Sequence, residues 1–390
     1  MRANEVSTTQ YLDESNRCLH CAKPSCSGAC PIGNDIPSFL KLVRDGALEK
    51  AVDAIGHPFG EVCGYICAHE QQCQGGCVLG SRGKSVNVGL VERSVFAQHP
   101  YKVQRKDVTL VGRKIAVVGG GVSGITFAVK TYENGADVTV FERNELLSTL
   151  KLIPEFRLPR QTLQRIERQI EGKFTVVKDN ITSRELTKLQ REYDLVYIAT
   201  GASAIYRLGV EGEELATPYD KFLSKTMHQG KVVVIGGGNT AMDCARLAKR
   251  CGADVTVSYR RQRADMPAFD KEIADAVNDG VQFSYNVAPT KLSQKDGKLL
   301  LTLAKTVNQG RSQLTVTCET TVVECDTVVS ALGSNFDKSI FGEIEVGNDA
   351  RHPLANVCVG GDAVGGKTVA QAVADALKTA QEILDNLDKQ

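Results

Sequence analysis

The chain has 390 residues, of which 42% are hydrophobic and 24% charged, a globular composition that excludes a disordered, collagen-like or coiled-coil chain. Its 47 basic and 46 acidic residues give a net charge of +1, so no global field draws it to nucleic acid or to an anionic membrane. We recognise no secretory signal and no apolar run of the roughly 18 residues that a membrane helix needs, so we expect two or three domains and a cytoplasmic location.

Cysteines dominate the first fifth of the chain, where eight of the 13 lie within 77 residues. They form two groups, Cys18-x2-Cys21-x4-Cys26-x3-Cys30-Pro31 and Cys63-x3-Cys67-x5-Cys73-x3-Cys77. Without an export signal, disulfides are not expected. Thiolates at this density hold zinc or iron–sulfur clusters, but zinc sites usually join two CxxC pairs across a loop. The two dense groups therefore favour two 4Fe–4S clusters over zinc or buried thiols.

The Cys30-Pro31 step predicts how the thiols are shared between the two clusters. In the bacterial ferredoxin run, the cysteine before proline ligates the other cluster of a pair. By the same crossover, Cys30 would join the second group and Cys77 the first.

The segment between the cysteine groups is predicted to be helical. Asp35 can cap a helix, Pro37 suits its first turn, and apolar residues keep helical spacing as far as Ile55. Short helices of this kind are expected across residues 1–112.

A different pattern begins at residue 114 and occurs twice. KIAVVGGGVSGITFAVKTYENGADVTVFE covers residues 114–142, and KVVVIGGGNTAMDCARLAKRCGADVTVSY covers residues 231–259. Each copy is predicted to form a strand, a glycine turn, a helix and a second strand, the unit that binds dinucleotides in Rossmann-like folds. The predicted fold class is α/β, with a helical N-terminal domain followed by two Rossmann-like domains.

The first copy carries the fingerprint of a dinucleotide pocket. Gly119 permits the tight turn, Gly121 lets the backbone approach a pyrophosphate, and Gly124 lets the helix pack on the strand. Glu142 ends the next strand, where a carboxylate accepts hydrogen bonds from ribose hydroxyls and repels a 2′-phosphate. The pocket is therefore predicted to bind FAD or NAD, and a glycine turn without a ligand is the alternative.

The second copy ends in arginines rather than in an acid. Guanidinium groups suit a 2′-phosphate, so NADPH is favoured over NADH, with a solvated arginine face as the alternative. Ala241 takes the place of the third glycine. The cofactor-binding residues predicted in this copy are Gly236, Gly238, Asn239, Thr240, Arg260 and Arg261.

Three further strand ends are predicted to support a flavin. Ala-Thr-Gly and Ala-Leu-Gly each follow an apolar strand and suit a turn where the chain crosses between nucleotide domains. Asp362 ends the last strand and can hold a ribityl hydroxyl or a phosphate-side water, while amides of the next helix can face the flavin pyrimidine edge. The residues concerned are Thr200, Gly201, Ala331, Leu332, Gly333, Asp362, Thr368, Val369 and Ala370.

Together these motifs resemble one family. The cysteine groups, GGGVSG, IPEFRLP, GGGNTAMDC, YRRxRADMPA and the C-terminal GGD are similar to those of the glutamate synthase small subunit, the N-terminal half of dihydropyrimidine dehydrogenase and the separate electron-input subunit of the bacterial enzyme. The likeness covers nearly the whole chain. The spacing of the second cysteine group is closer to the dihydropyrimidine dehydrogenase branch.

The resemblance implies FAD in the first pocket, NADPH or NADH in the second, and two 4Fe–4S clusters. It implies a helical iron–sulfur domain at 1–112, a discontinuous FAD domain at 113–202 and 326–390, and an inserted NAD(P)H domain at 203–325. Arg157 in IPEFRLP matches a position that contacts FAD in the family.

The resemblance also implies a set of cluster ligands. Cluster one would take Cys18, Cys21, Cys26 and Cys77, and cluster two would take Cys30, Cys67, Cys73 and Glu92. Spacing alone would select Cys63 instead of Glu92. One loop departs from the family: relatives carry a Gly-Gly pair where this chain has Leu147-Ser148-Thr149, which predicts a different local backbone beside the flavin.

The expected function is electron transfer. Hydride transfer from NAD(P)H to a flavin needs stacking and exclusion of water rather than a catalytic acid or base, so no catalytic residue is named. The three domains use all 390 residues, and a substrate barrel would need about 250 more. We therefore expect a partner subunit, by resemblance an FMN and iron–sulfur protein that reduces uracil or thymine.

Three alternatives stay open. A glutamate synthase small subunit would perform the same chemistry with another partner. A disulfide reductase would need a cysteine pair beside the flavin, but residues 143–160 contain no cysteine, and Cys244 and Cys251 are seven apart in a predicted helix. A non-enzymatic iron–sulfur redox sensor would bind its cofactors without turnover.

Overall fold

The computed structural model describes residues 8–106, 108–225, 227–308, 314–342, 351–352, 354–366 and 368–387. By its internal contacts the chain divides into two units. Unit one comprises residues 1–151, 155–203 and 336–390, and unit two comprises residues 152–154 and 204–335.

The N-terminal part is helical, and strands begin at residue 114. The helices are α1 (Thr8–Asn16), α2 (Ser25–Gly28), α3 (Ile36–Arg44), α4 (Leu48–Ile55), α5 (Gly60–Ile66), α6 (Val88–Gln98), α7 (Val122–Glu133), α8 (Ser148–Lys151), α9 (Arg160–Ile170), α10 (Ser183–Glu192), α11 (Tyr219–Leu223), α12 (Asn239–Arg250), α13 (Asp270–Asn278) and α14 (Val369–Leu387). The strands are β1 (Lys114–Val118), β2 (Asp137–Glu142), β3 (Thr175–Lys178), β4 (Leu195–Ile198), β5 (Ala204–Ile205), β6 (Thr217–Pro218), β7 (Lys231–Ile235), β8 (Asp254–Tyr259), β9 (Gln282–Tyr285), β10 (Val287–Lys295), β11 (Lys298–Asn308), β12 (Leu314–Cys325), β13 (Thr327–Ser330), β14 (Ser334–Asn335) and β15 (Val357–Val359). None of the helices in the described ranges has the length and hydropathy of a membrane span.

Helix α3 begins where the sequence predicts. The Asp35 side chain accepts the Ser38 N–H, and Pro37 lies in the first turn. The expectation of one helix as far as Ile55 is wrong, because the helix ends before Gly46, whose φ is +73°, and a new helix α4 follows. Glycine adopts this left-handed backbone without the steric penalty of a Cβ, so it separates two helices that share one apolar spacing.

Helices α5 and α6 pack backbone against backbone. A Cβ on Gly64 of α5 would lie 2.7 Å from the carbonyl oxygen of Gly89 in α6, so only glycine permits this approach. The contact brings together Cys63 and Glu92, which are carried by these two helices.

The rest of unit one surrounds a parallel sheet of order β15-β4-β1-β2-β3. The segment β1–α7–β2 is the first repeat copy, and α7 packs against α14. Apolar side chains of β1, β2 and α7 form a buried core with those of α14, Ala376 and Ala380 among them. Strands β1, β4 and β15 end at one edge of this sheet, the edge at which open α/β sheets bind ligands.

Unit two repeats this arrangement. Its parallel sheet has the order β6-β13-β7-β8-β9, and β10, β11 and β12 form an antiparallel sheet. The second repeat copy is β7–α12–β8. Because β13 hydrogen-bonds to β7, this unit extends to Asn335, whereas the predicted domain boundary lies at residue 325.

Leu147 has an unusual backbone for a leucine. Its φ is +57°, its side chain is fully buried, and its N–H donates to the Gly120 carbonyl oxygen at 2.9 Å. A left-handed backbone costs a residue with a Cβ about 1–2 kcal/mol. The loop that departs from the family therefore holds a glycine-type conformation with a leucine, and burial of that side chain offsets the strain.

We expect Leu147→Gly to be more stable than Leu147→Ala by about 1 kcal/mol, the reverse of the usual order. Both variants lose the buried side chain, which costs about 3 kcal/mol relative to the wild type. Urea-induced unfolding measures the difference. A more stable alanine variant would contradict the left-handed backbone.

Candidate functional site

Four thiols line one cavity in the helical part of unit one, named cavity one. They are Cys18, Cys21, Cys26 and Cys77. The two cysteine-bearing segments approach each other closely at Gly76. A Cβ on Gly76 would lie only 2.6 Å from the Ser25 carbonyl oxygen, so this approach requires glycine. Arg17 links the same segments by donating hydrogen bonds to the carbonyl oxygens of Lys84 and Ser85. Cys77 therefore lies with the thiols of the first sequence group.

Cavity two, also in unit one, is lined by more candidate ligands than one cluster needs. They are Cys30, Cys63, Cys67, Cys73 and Glu92. Cys30 lies here and Cys77 in cavity one, which is the exchange that the Cys-Pro step predicts. The Cys63 thiol is hydrogen-bonded to Cys67. A 4Fe–4S cluster takes four protein ligands, so one of the five groups is surplus.

Other residues also line cavity two. His69 lines the cavity, and its ring packs against Gly89. A Cβ on Gly89 would lie 2.5 Å from the His69 imidazole. Asn34 and Gln72 also line this cavity, and nothing in the sequence distinguishes them from other polar loop residues.

The two cavities suit multi-iron clusters better than single metal ions. Zinc–sulfur bonds are about 2.3 Å long, so a zinc site draws its ligands close together. Across the described ranges, no group of three or more His, Cys, Asp or Glu side chains is arranged to hold one ion. Each cavity nevertheless has four thiols on its wall, the ligand number of a 4Fe–4S cluster. The donor set therefore fits the iron–sulfur prediction.

Burial raises the pKa of the side chains in cavity two. It raises the pKa of the Cys30 and Cys73 thiols, and the nearby Glu92 carboxylate adds to both shifts. Burial also raises the pKa of Glu92 to about 8. Thiolates and carboxylates bind iron in their deprotonated forms, so a bound cluster would supply the positive charge that stabilises these buried anions.

The glycine turn between β1 and α7 is open at its central residue. A Cβ on Gly121 would meet no described atom within 4 Å. A Cβ on Gly119 would lie 2.4 Å from the Ala199 carbonyl oxygen, and one on Gly124 would lie 1.9 Å from that of Gly119. Gly119 and Gly124 are therefore required by the turn itself, whereas Gly121 borders space that a phosphate can enter at a helix N-terminus.

Glu142 lies beside this turn at the end of β2. One carboxylate oxygen accepts the Gly120 N–H at 2.6 Å, and the other accepts the Asn144 N–H at 2.7 Å. A carboxylate offers about four acceptor positions, so it keeps capacity for ribose hydroxyls. These backbone contacts fix the carboxylate next to the glycine turn, an anchoring that the sequence does not reveal.

Two buried oxygen atoms lie at the same edge of the sheet. Thr200 Oγ1 follows β4 and Asp362 Oδ1 follows β15, and neither has a hydrogen-bond partner among the described residues. A buried oxygen without a partner costs about 1–3 kcal/mol, so each is a candidate for contact with a polar ligand. Both atoms fit the predicted polar cofactor.

Helix α14 connects the predicted flavin site with cavity two. Thr368 caps it by accepting the Gln371 N–H at 3.2 Å, and Val369 is its first residue. Ala370 follows, is buried, and forms part of the wall of cavity two. The residues predicted to face the flavin edge therefore adjoin the candidate ligands of the second cluster.

Unit two has the same glycine geometry. A Cβ on Gly238 would meet no described atom within 4 Å, whereas one on Gly236 would lie 2.2 Å from the Ala331 carbonyl oxygen. The Asn239 side chain accepts the Phe269 N–H at 2.9 Å and so ties the start of α12 to the loop after the arginines. Gly238 borders open space as Gly121 does.

The arginines lie in the turn that follows β8. The Arg260 carbonyl oxygen accepts the Thr306 hydroxyl, and that of Arg261 accepts the Asn286 N–H. Arg260 is exposed and Arg261 half-buried, while Thr240 is half-buried in the first turn of α12. The backbone of the turn is thus fixed, and the Arg260 guanidinium lies at the surface.

Both small-residue turns lie at unit boundaries. Gly201 has a φ of +64° and Gly333 a φ of +93°, and Leu332 is exposed. The chain passes from one unit to the other after residue 203 and again after residue 335. Arg157 lies half-buried before α9. The flavin contacts expected of these residues stay predictions.

Asp362 gives a pH-dependent prediction. Burial raises the pKa of its carboxyl to about 6, so the folded protein binds a proton more tightly than the unfolded chain between about pH 4 and pH 6. The charged carboxylate therefore destabilises the fold above pH 6. Asp362→Asn is expected to stabilise the flavin-free protein at pH 8 by about 3 kcal/mol, a gain that disappears near pH 4. Thermal unfolding at both pH values measures this; equal stability at pH 8 would contradict it.

Comparison with known proteins identifies related families. Residues 2–103 match the family described as dihydropyrimidine dehydrogenase domain II, 4Fe-4S cluster. Residues 114–376 match the family described as pyridine nucleotide-disulphide oxidoreductase.

Two relatives of this chain differ in their own length. The chain is 29% identical to the glutamate synthase (NADPH) small chain of Escherichia coli, over 97% of this chain and 92% of the relative. It is 32% identical to the NADP(+)-dependent formate dehydrogenase subunit beta of Moorella thermoacetica, over 92% of this chain. Longer relatives are covered less completely, since the chain spans 51% to 65% of three of them.

The structure of Mycobacterium tuberculosis FprA in complex with NADPH is similar in fold, with a TM-score of 0.54, 18% identity, and coverage of 71% of this chain and 85% of FprA. These matches confirm the predicted fold class, a helical N-terminal iron–sulfur domain followed by dinucleotide-binding domains. The chain is an oxidoreductase of the pyridine nucleotide-disulphide oxidoreductase family, in the group that includes the glutamate synthase small subunit and the N-terminal half of dihydropyrimidine dehydrogenase.

Proposed function

We propose that this chain is an electron-input subunit that oxidises NADPH through FAD and passes the electrons through two 4Fe–4S clusters to a partner subunit. The observation that carries this proposal is the position of Ala370, which is the second residue of the helix predicted to face the flavin and also lies in the wall of cavity two. One helix end thus serves both candidate sites.

FAD would be held in unit one. The open turn at Gly121 would receive the pyrophosphate, Glu142 the ribose, and the buried oxygens of Thr200 and Asp362 further polar groups of the cofactor. The flavin would supply the conversion between two-electron hydride chemistry and single-electron steps. The N-terminal amides of α14 favour negative charge in their vicinity.

The nicotinamide nucleotide would be held in unit two. The open turn at Gly238 suits the pyrophosphate, and Arg260 and Arg261 suit a 2′-phosphate, so we propose NADPH rather than NADH. The NADPH complex of FprA and the name of the glutamate synthase (NADPH) small chain support the same choice.

The partner that we propose is a cytoplasmic FMN and iron–sulfur protein that reduces uracil or thymine. The match of residues 2–103 to a dihydropyrimidine dehydrogenase domain supports this substrate class. A glutamate synthase partner is the second candidate, favoured by the likeness to that small chain over 97% of this one. An anaerobic pull-down separates them, because an FMN protein with a barrel fold would support the first and a large amidotransferase subunit the second.

A self-contained disulfide reductase is less well supported. Cys244 is fully buried in the apolar core of unit two, and Cys251 lies at the C-terminal cap of α12. Core packing accounts for Cys244, so a redox pair with Cys251 has little structural support.

Steady-state reduction of a dye by NADPH tests the proposed function. The protein, prepared anaerobically with iron and FAD, is expected to reduce dichlorophenolindophenol with a higher kcat/KM for NADPH than for NADH. Absence of turnover from protein with a full complement of flavin would contradict the proposal and support the redox sensor.

A further inference from the structure

We propose that the surface around cavity one docks an acidic protein that exchanges single electrons with this chain. This surface, named the exit face, consists of Leu19, Lys23, Val78, Arg82 and Lys84. The inference rests on the proposed function, because it assigns the place where electrons leave. The inference adds to the proposed function the charge that the partner's docking surface should carry.

The centre of the exit face is apolar and exposed. Leu19 is 56% exposed and Val78 46% exposed, and both line cavity one beside its four thiols. In cavity two, by contrast, the candidate ligands Cys63 and Cys73 are buried. A protein that covers Leu19 and Val78 would therefore approach the thiols of cavity one.

The rim of the exit face is basic. The two segments that supply most of the cavity wall, residues 18–26 and 76–86, contain three Arg or Lys residues and no Asp or Glu. Lys23 and Arg82 are exposed, and the Lys84 side chain is 77% exposed. Glu14, from the preceding helix, contacts Arg17 and Lys84 and offsets part of this charge.

This pattern fits a transient electron-transfer contact. Such interfaces are small, with an apolar centre and a charged rim, and opposite charge speeds the encounter of the two proteins. The chain as a whole has a net charge of only +1, so the three basic residues of these segments are a local feature. An acidic partner surface is the complement of this rim.

The experiment compares two acceptors with the same haem and opposite charge. Cytochrome c is basic, and its succinylated form is acidic because its lysines carry carboxylates. With NADPH as donor, Arg82→Glu with Lys84→Glu is expected to slow reduction of the succinylated form by about tenfold at low salt and to speed reduction of native cytochrome c. The difference is expected to disappear at high salt.

The controls separate this inference from the proposed function. Arg184→Glu with Lys188→Glu makes the same charge change on the exposed face of α10 and is expected to alter neither rate more than about twofold. Lys23→Glu is a second variant of the exit face and should act like the first. All variants are expected to keep wild-type iron content and dye reduction. Failure of dye reduction in the wild type would overturn the proposed function instead.

Two results would overturn the docking proposal while dye reduction is intact. One is that both exit-face variants reduce the two cytochromes at wild-type rates. The other is that the variants lose binding to phosphatidylserine vesicles or to RNA while their cytochrome rates do not change, which would assign the basic rim to a membrane or a nucleic acid.

Discussion

Alanine at Gly121 is expected to weaken FAD binding about 100-fold without unfolding the protein. The added Cβ meets no described atom within 4 Å, and the φ of Gly121 is −81°, which any residue adopts. The fold therefore tolerates the methyl group. It would stand in the space that the pyrophosphate is proposed to enter, and overpacking by one methyl group costs about 3 kcal/mol, or about 100-fold in affinity.

Gly238→Ala is the matched control for this experiment. Gly238 has the same place in the second repeat, a φ of −90°, and no described atom within 4 Å of a Cβ. This variant is expected to keep its flavin and to lose affinity for NADPH by a similar factor.

Flavin absorbance after purification and the KM for NADPH report the two effects separately. Full flavin in the Gly121 variant, or loss of flavin from the Gly238 variant, would contradict the assignment of the pockets. Unfolding of either variant would contradict the open geometry of its turn.

Alanine at Glu92 is expected to reduce the iron content from about eight to about four atoms per chain, because cavity two would lose its cluster. Glu92 is buried in this cavity, and burial raises its pKa to about 8. A buried carboxylate is unfavourable unless a positive group compensates it, and iron is the compensating group that we propose. The Cys63 thiol has another partner in Cys67 and does not need a metal.

Cys63→Ala is the matched control, since Cys63 lines the same cavity from the adjacent helix. It is expected to keep about eight irons. Iron analysis and the EPR spectrum of the reduced protein distinguish the variants. The reverse result, with iron lost from the Cys63 variant and kept in the Glu92 variant, would make Cys63 the fourth ligand.

The glycine fingerprints allowed the sequence to predict the two nucleotide-binding folds, because their steric demands are local. Gly119 and Gly236 each meet the carbonyl oxygen of an alanine at the end of the neighbouring strand, Ala199 and Ala331. A side chain at either position would prevent that contact. The need for glycine at these two positions therefore appears in the sequence as a repeated glycine motif.

The distribution of the cysteines was predictable for a similar reason. The Cys-Pro step indicates a crossover, and the structure places Cys30 and Cys77 in the cavities that this crossover requires. The choice between Cys63 and Glu92 was not predictable from spacing. Both residues reach cavity two because α5 and α6 meet at Gly64 and Gly89, a tertiary contact that no local pattern encodes.

Tertiary contacts also determine the structural features that the sequence did not predict. Apolar spacing continues through Gly46 although the helix does not, because α3 and α4 each bury an apolar face. Strand β13 pairs with β7 in the parallel sheet of unit two. Unit two therefore continues past residue 325, where the resemblance places the domain boundary. Leu147 combines a left-handed backbone with a fully buried side chain, and local sequence preference predicts neither.

Metal and flavin analysis of protein purified without oxygen, followed by addition of NADPH, tests the central claim most directly. We predict about eight irons and one FAD per chain, with bleaching of the flavin by NADPH and an EPR signal from reduced 4Fe–4S clusters. Zinc in place of iron, or iron without a flavin that NADPH can reduce, would contradict it.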